Sequence, residues 1–596
     1  MNMKQLMAKI PFIAAAALLG ACSGGSVNYD AKENSIAQAG SNLVPPTGDE
    51  AAWEDIQNDD GIFNEKYNAI KENPYVLVGE ENQSYFSLDS WTASYSNLRR
   101  FINSGAKITG DVIKTDELIN YFDYSFAKPA KGQDFASFAE ISNAPWNQDH
   151  KLLTMAVTTK EAEIDPYVGN NYVFLIDVSG SMQGSERLGL VKQSFGLLLD
   201  NLNASDRISV VTYASGVNVL IDGAFADSKD AIMSRINALQ ASGGTYGEGG
   251  VEKAYEIAQK WFIAGGNNRV IVASDGDFNI GKSRGQELEE MIATKRESGI
   301  YLTCLGFGMY NYSDITMETL AKHGNGGYFY INTISEAEKV LVNDLKKTLF
   351  TVAKDVKCEV TFDKATVQSY RLIGYENKGI SRQDFYDENK DAGEVGNGHT
   401  SVVCYELILN ENAQLGGGLA NLNIHYKDPK NDESKEYANM FSLNEAEVSE
   451  DHRFVASVVE FSLALRDSEY KGTADYQRVI DTLAELDSVA QDQLKSEFLE
   501  LVKTAKNQNL LSVNEVETVI VYVVMGWRMA GVEFEKGLTI SPEDISKRLN
   551  YKNEMVGYYL DEDYVTPFEG ATLQESITLY AKIAETTPET QSVEGV

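Results

Sequence analysis

The sequence predicts an α/β fold: a doubly wound, mostly parallel sheet inserted in a β-sandwich-like platform, with a C-terminal helical region. Three observations predict it. Between Asn171 and about Phe350, near-continuous apolar runs alternate with helical patterns, the signature of parallel strands covered on both faces. Beyond Phe350 the period drops to two, with Gly and Asn turns between the runs, as in half of a β-sandwich. From Asp451 to Lys506 the spacing turns helical, as in Phe454, Val458, Phe461 and Leu465.

In chain order, Lys4 and Lys9 precede an apolar run from Ile10 to Leu19 and small residues up to Cys22. A basic start, a short apolar core and small residues make a secretory signal over 1–21, too short to span a bilayer. Leu19-Gly-Ala-Cys22 resembles the lipobox of bacterial lipoproteins, which implies acylation of Cys22 as the first mature residue. The other reading is an ordinary signal with a chance cysteine. Under the lipoprotein rules Ser23 favours the outer membrane. Residues 22–60 are rich in Gly, Ser, Asn, Asp, Glu and Pro and read as a flexible tether.

An N-terminal module is expected over 61–150. Leu152–Thr158 alternates and is expected to pair with the later β platform, so that the parallel domain, 170–350, is an insertion. Its strands are read at Tyr172–Asp177, Arg207–Tyr213, Val217–Ile221, Arg269–Asp275, Tyr301–Phe307 and Tyr328–Ile331, with Val217–Ile221 as an antiparallel edge. The β-rich platform spans 351–445, with strands at Val356–Phe362, Ser369–Tyr375, Ser401–Leu409, Ala420–Tyr426 and Tyr437–Leu443. A mainly helical domain is expected over 446–596. Val519–Trp527, nine apolar residues, is a core element rather than a membrane span.

The strand Tyr172–Ile176 runs into Asp177-Val-Ser-Gly-Ser181. One carboxylate and two hydroxyls at i, i+2 and i+4 on a turn can face one point, and hard oxygen ligands suit Mg²⁺ or Mn²⁺. The same residue types also cap helices. Two later segments supply what the first loop lacks: Ser242-Gly-Gly-Thr245 offers a hydroxyl on a glycine turn, and Asp275 a carboxylate at a strand end. In an open parallel sheet these loops gather outside the carboxyl ends of the strands. The set Asp177, Ser179, Ser181, Thr245 and Asp275, in that order and spacing, resembles the metal-ion-dependent adhesion site of von Willebrand factor A domains. The resemblance implies a Rossmann-like sheet in which Ser179, Ser181 and Thr245 contact the ion directly, while Asp177 and Asp275 act directly or through water. No G-x-G-x-x-G follows the first strand, against a dinucleotide.

The flanks carry a second resemblance. Ser87 to Phe101, Glu117 to Tyr124, Pro145-Trp-Asn147, Gly324-Asn-Gly-Gly-Tyr328, Tyr370 to Glu376, Asp391-Ala-Gly-Glu394 and Phe461 to Ser468 are similar to a bacterial family of envelope lipoproteins of unknown function. In that family an A domain carries its own N-terminal module and an uncharacterised C-terminal domain. The likeness covers roughly Ser84 to Lys506. One departure is Ser90-Trp91, where the family has Val-Asp.

The formal charge of −36 becomes −38 once Lys4 and Lys9 leave with the signal. So acidic a chain, without a basic patch, is a poor nucleic-acid binder and is repelled by anionic membranes, so a lipid anchor is the expected attachment. Cys304 reads as a small buried hydrophobe, whereas Cys358 and Cys404 are candidates for a disulfide. Asp387-Glu-Asn-Lys-Asp391 imitates a calcium loop but lacks its glycine and closing glutamate, and reads as a polar turn. Scattered histidines without paired spacing, and no G-x-S-x-G elbow, point away from an enzyme. The expected function is protein binding at the cell envelope. An Asp or Glu carboxylate of the partner completes the coordination of Mg²⁺ or Mn²⁺, and the ion inverts the local electrostatics of an acidic surface. The alternatives are a metal-assisted hydrolase at the same site, with Asp277 as the extra acid, and a structural envelope scaffold.

Overall fold

The computed structural model describes residues 65–583 apart from 90, 162–167, 277–290, 297, 310–311, 389, 391, 445, 509, 511–517, 526–527, 536–538, 550–554, 562–563 and 574–576. The signal, the tether and Cys22 lie outside the described residues, as do Asp277 and two of the five positions of the calcium-like turn, 389 and 391. Among the described residues, no helix is long and apolar enough to cross a membrane.

The first strands along the chain are β1 (Val76–Leu77), β2 (Gln83–Ser87), β3 (Phe135–Ala144) and β4 (Asn147–Thr159). The parallel domain contributes β5 (Asn171–Asp177), β6 (Arg207–Tyr213), β7 (Val217–Phe225), β8 (Asn268–Ser274), β9 (Ile300–Gly306) and β10 (Tyr328–Tyr330). Its sheet has the order β10-β9-β8-β5-β6-β7, parallel throughout except for β7, which runs antiparallel to β6 as expected. Every residue of β5 and of β8 is buried. Side chains alternate across a strand, so Tyr172, Phe174 and Ile176 enter one core while Val173 and Leu175 enter the other. That two-sided burial is why these strands read as unbroken apolar runs.

The chain then returns through β11 (Thr351–Phe362), β12 (Val367–Ile373), β13 (Gly393–Gly396), β14 (Thr400–Leu409), β15 (Gly418–Lys427) and β16 (Ser434–Ser442). One antiparallel sheet has the order β1-β12-β14-β4-β3; the other is β13-β11-β15-β16, with β2 also on β11. β4 pairs β14 from Lys151 to Thr158, so the parallel domain is inserted in the sandwich, leaving from β4 of one sheet and returning to β11 of the other. β1 and β2 are too short to bury a face by themselves, and they are strands of the sandwich rather than parts of a separate 61–150 unit.

Alternation along β4 also builds two cores. Leu153, Met155 and Val157 face the opposite sheet, with Val360, Phe362 and Ile424. Leu152 and Ala156 face the helices, with Phe454, Phe461 and Phe498. The helices Ala93–Ser104, Thr115–Ile119, Glu450–Leu465 and Gln493–Asn507 supply that second core. This layering corrects the disulfide expectation. Cys404 belongs to the helical core and Cys358 to the sandwich core, on opposite faces of the β14 sheet, and both are free thiols, buried like Cys304.

The expectation of a mainly helical region to 596 holds to Asn507. Beyond it lie β17 (Thr518–Met525), β18 (Arg528–Glu535), β19 (Thr539–Ile540), β20 (Met555–Tyr559), β21 (Ala571–Thr572) and β22 (Ile577–Ile583), with one helix, Pro542–Leu549. A four-stranded sheet runs β18-β17-β22-β20. The β-branched run at its centre favours a pleated strand over a helix, so the apolar segment from Val519 is a core strand.

Candidate functional site

Asp177 closes β5, and its side chain folds back on the next turn: the Ser179 amide donates to its Oδ1 at 2.8 Å. Ser179 occupies the N-cap of the short 3₁₀ turn Gly180–Met182 but makes no side-chain capping bond. Its hydroxyl lies instead 2.9 Å from that of Ser181. The next α-helix, Leu190–Asp200, starts after Gly189, without a side-chain cap. The Asp-x-Ser-x-Ser oxygens are therefore spent on one another and on the pit they line, and the helix-cap reading fails.

Two loops converge on this turn. The Ser242 amide donates to the Val178 carbonyl at 2.8 Å, and Gly180 donates to the Gly243 carbonyl at 2.9 Å, bringing Thr245's loop alongside. That loop is pinned from behind where the Gly244 amide donates to the Ser215 hydroxyl, 2.8 Å, and the Tyr246 amide to Ala214, 2.7 Å. Gly243 has φ +85°, and a Cβ on it would lie 2.7 Å from the Ser215 oxygen, so the close approach requires glycine. On the other side, the Ser274 hydroxyl donates to Oδ2 of Asp177 at 3.0 Å and accepts the Gly276 amide at 3.0 Å, tying the Asp275 turn to the first loop.

Asp177, Ser179 and Asp275 are buried, whereas Ser181 and Thr245 are only half-buried. The two carboxylates and Ser179 thus lie inside, with Ser181 and Thr245 nearer the surface. Burial pushes the Asp177 carboxyl up to about 6; nearby Asp275 adds to the rise and bonds from Ser179 and Ser274 oppose it. Both oxygens of Asp177 are met by neutral donors, and among the described residues no Lys or Arg pairs with it. Among the described residues, no group of three or more His, Cys, Asp or Glu side chains is placed to hold an ion. An ion here depends on the mixed set of two acids and three hydroxyls, whose hard oxygens fit Mg²⁺ or Mn²⁺.

All five expected residues thus lie on loops that are bonded to one another. Three supporting residues escaped the sequence reading. Ser274 bridges two loops, Ser215 holds the third, and the Arg187 guanidinium reaches the carbonyls of Ser181 and, at 2.6 Å, Met309. Ser215 stands before Gly216 and reads only as a turn residue, and nothing in the spacing of Ser274 or Arg187 marks them. The departure Trp91 has a structural role: its indole N–H donates to the Gly326 carbonyl at 3.1 Å, and the Lys378 ammonium lies 5.4 Å from its ring centre.

Comparison with known proteins gives matches along most of the chain. Residues 62–154 match the family described as von Willebrand factor, 172–277 the von Willebrand factor type A domain, and 347–508 the C-terminal domain of the uncharacterized protein YfbK. The uncharacterized protein YfbK of Escherichia coli is 36% identical over 466 residues, 74% of this chain and 81% of the relative. The inter-alpha-trypsin inhibitor heavy chain H3 of Mesocricetus auratus is 27% identical over 27% of this chain and 19% of its own. Among solved structures, a von Willebrand factor type A protein from Catenulispora acidiphila covers 64% of this chain and 91% of its own at 16% identity, with a TM-score of 0.38.

Proposed function

The chain belongs to the family of the uncharacterized protein YfbK, and from that premise we propose that it is a cell-envelope lipoprotein. In this reading Cys22 carries the lipid, and the A domain binds a protein partner through Mg²⁺ or Mn²⁺ held by Asp177, Ser179, Ser181, Thr245 and Asp275. It is a binder and not an enzyme.

The observation that carries the reading is the state of Asp177: a buried carboxylate that, among the described residues, is met only by neutral donors and lies beside half-buried hydroxyls. Burying an anion without a counter-charge is costly, and a divalent ion would offset that cost. Held by two acids and three neutral hydroxyls, the ion would keep net positive charge and attract an Asp or Glu carboxylate of a partner. This chain's own residues do the rest. Ser274 and the Ser179 amide orient Asp177, and the Gly180–Gly243 bond sets the Thr245 rim against the Ser181 rim.

The test is a pull-down from envelope extracts with and without EDTA, using native protein and Thr245→Ala. The expected partner is lost in both cases, while the fold and membrane retention are kept. Binding that survives both treatments would overturn the metal bridge. Incorporation of labelled palmitate, absent from Cys22→Ser, checks the anchor; label persisting in that variant would remove it.

A further inference from the structure

We propose that the N-terminal module braces the metal loops from behind, with Lys114 as the positioning residue. The inference rests on the metal-site reading above. It extends that site to residues outside the A domain, so that ion affinity depends on a buried lysine that does not line the pit.

The path begins at Asp275. Its main-chain carbonyl accepts the Ser313 amide at 3.1 Å. Gly276, at φ +79°, is packed so tightly there that a Cβ would stand 2.5 Å from the Ser313 carbonyl oxygen. The Asp275 turn therefore rests on the segment that starts the helix Asp314–His323. That segment is gripped by residues outside the A domain. The Lys66 amide donates to the Tyr312 carbonyl at 3.0 Å, and the Asp314 amide donates to the Lys66 carbonyl at 3.0 Å, a short parallel bridge.

Behind the bridge, Lys114 donates to Asp314 at 2.8 Å and to Glu318 at 3.2 Å. The Asn68 amide adds a bond to Glu318 at 2.9 Å. All three ionic side chains are almost fully buried, so the pairs act in a low-dielectric interior where their geometry is stiff. A second line from the same module reaches the other metal loop. Ser96 donates to the Tyr330 carbonyl at 2.6 Å, the Tyr330 hydroxyl donates to Gly308, and Arg187 links that loop to Ser181. Hydroxyl and carboxylate ligands must be held within fractions of an ångström, and the groups behind the ligands do that work.

The experiment is Mn²⁺ titration of the full chain, with free ion counted by electron paramagnetic resonance, beside a urea unfolding curve in EDTA. The variants are Lys114→Met, Asn68→Ala and, as a matched control, Arg371→Met. Arg371 forms an equally buried pair with Glu406 at 2.9 Å, between two strands of the platform. The expected result is about tenfold weaker Mn²⁺ binding in Lys114→Met, the low end for supporting residues. Asn68→Ala should shift the same way by less, and Arg371→Met should be destabilised with affinity unchanged. Native affinity in a folded Lys114→Met, or an equal loss in Arg371→Met, would overturn the brace. If Lys114→Met does not fold, Asn68→Ala decides by the same criterion. No Mn²⁺ binding by the unaltered chain would instead overturn the metal-site reading itself, a result distinct from the other two.

Discussion

Buried acids are handled in two ways in this molecule. At the tips of β5 and β8, Asp177 is met by an amide and a hydroxyl, and burial holds its carboxyl up at about 6. Where the N-terminal module meets the platform, Asp89 and Asp116 share the ammonium of Lys378 at 2.9 and 2.7 Å. Burial disfavours the Lys378 charge, yet Asp116 and Asp89 outweigh it and hold the group well above its ordinary value. In the Lys378 and Lys114 clusters buried acids share an ammonium of the same chain and so bind its parts to each other, although burial still raises Asp89 and, to about 7, Glu117. Among the described residues Asp177 has no Lys or Arg partner, and Ser181 and Thr245 beside it are half-buried. An acid beside an ammonium of its own chain ties segments together, whereas one met by neutral donors is the proposed place for an ion.

The largest effect expected from this contrast follows from Lys378→Met. It leaves two buried carboxylates without their cation and should cost about 3–5 kcal/mol in urea unfolding at pH 7. A loss below about 1 kcal/mol would mean that water reaches the cluster and the contrast is false.

Next comes a buried group that stays neutral. Burial lowers His452 to about 4; its Nε2 lies 2.8 Å from the Ser142 hydroxyl and its Nδ1 has no partner. The unfolded chain takes up this proton near pH 6.5 and the folded one near 4. Stability present above pH 6.5 is therefore lost as pH falls through that window, by about 3 kcal/mol from this residue. His399, lowered to about 4 by burial and then by Lys347, acts over the same range. His452→Gln should therefore flatten the slope by about 3 kcal/mol, read from unfolding curves between pH 7 and 4. An unchanged slope would show that the ring is not held neutral.

The smallest effect belongs to the metal face. Asp177→Asn keeps an acceptor for Ser179 and turns its amide toward Ser274, which can accept. In EDTA its stability should lie within about 1 kcal/mol of the unaltered chain, near the net worth of a hydrogen bond. Its Mg²⁺-dependent stabilisation, the mass-action signature of binding, should vanish. A large loss in EDTA would place Asp177 with the structural acids instead.

What the residues alone determined is local and periodic. Apolar runs gave away β5 and β8, because burial on both faces confines polar residues to the strand ends. The Asp177, Thr245 and Asp275 loops could be expected to meet, because an open parallel sheet collects its loops outside the carboxyl ends of its strands. The family-specific modules were legible in the same way, from runs long enough to be distinctive.

Tertiary structure alone decided what depends on distant partners. Cys358 and Cys404 sit in similar alternating strands, yet one faces the sandwich and the other the helices, since the face a strand turns to each core is set by pairing register. The module over 61–150 has no core of its own, because β1, β2 and its helices are completed by residues some 300 positions away. Lys114 and Ser274 carried no signal, and Ser215 only that of a turn, for a charge or a hydroxyl gains its meaning only from the atoms that folding sets beside it.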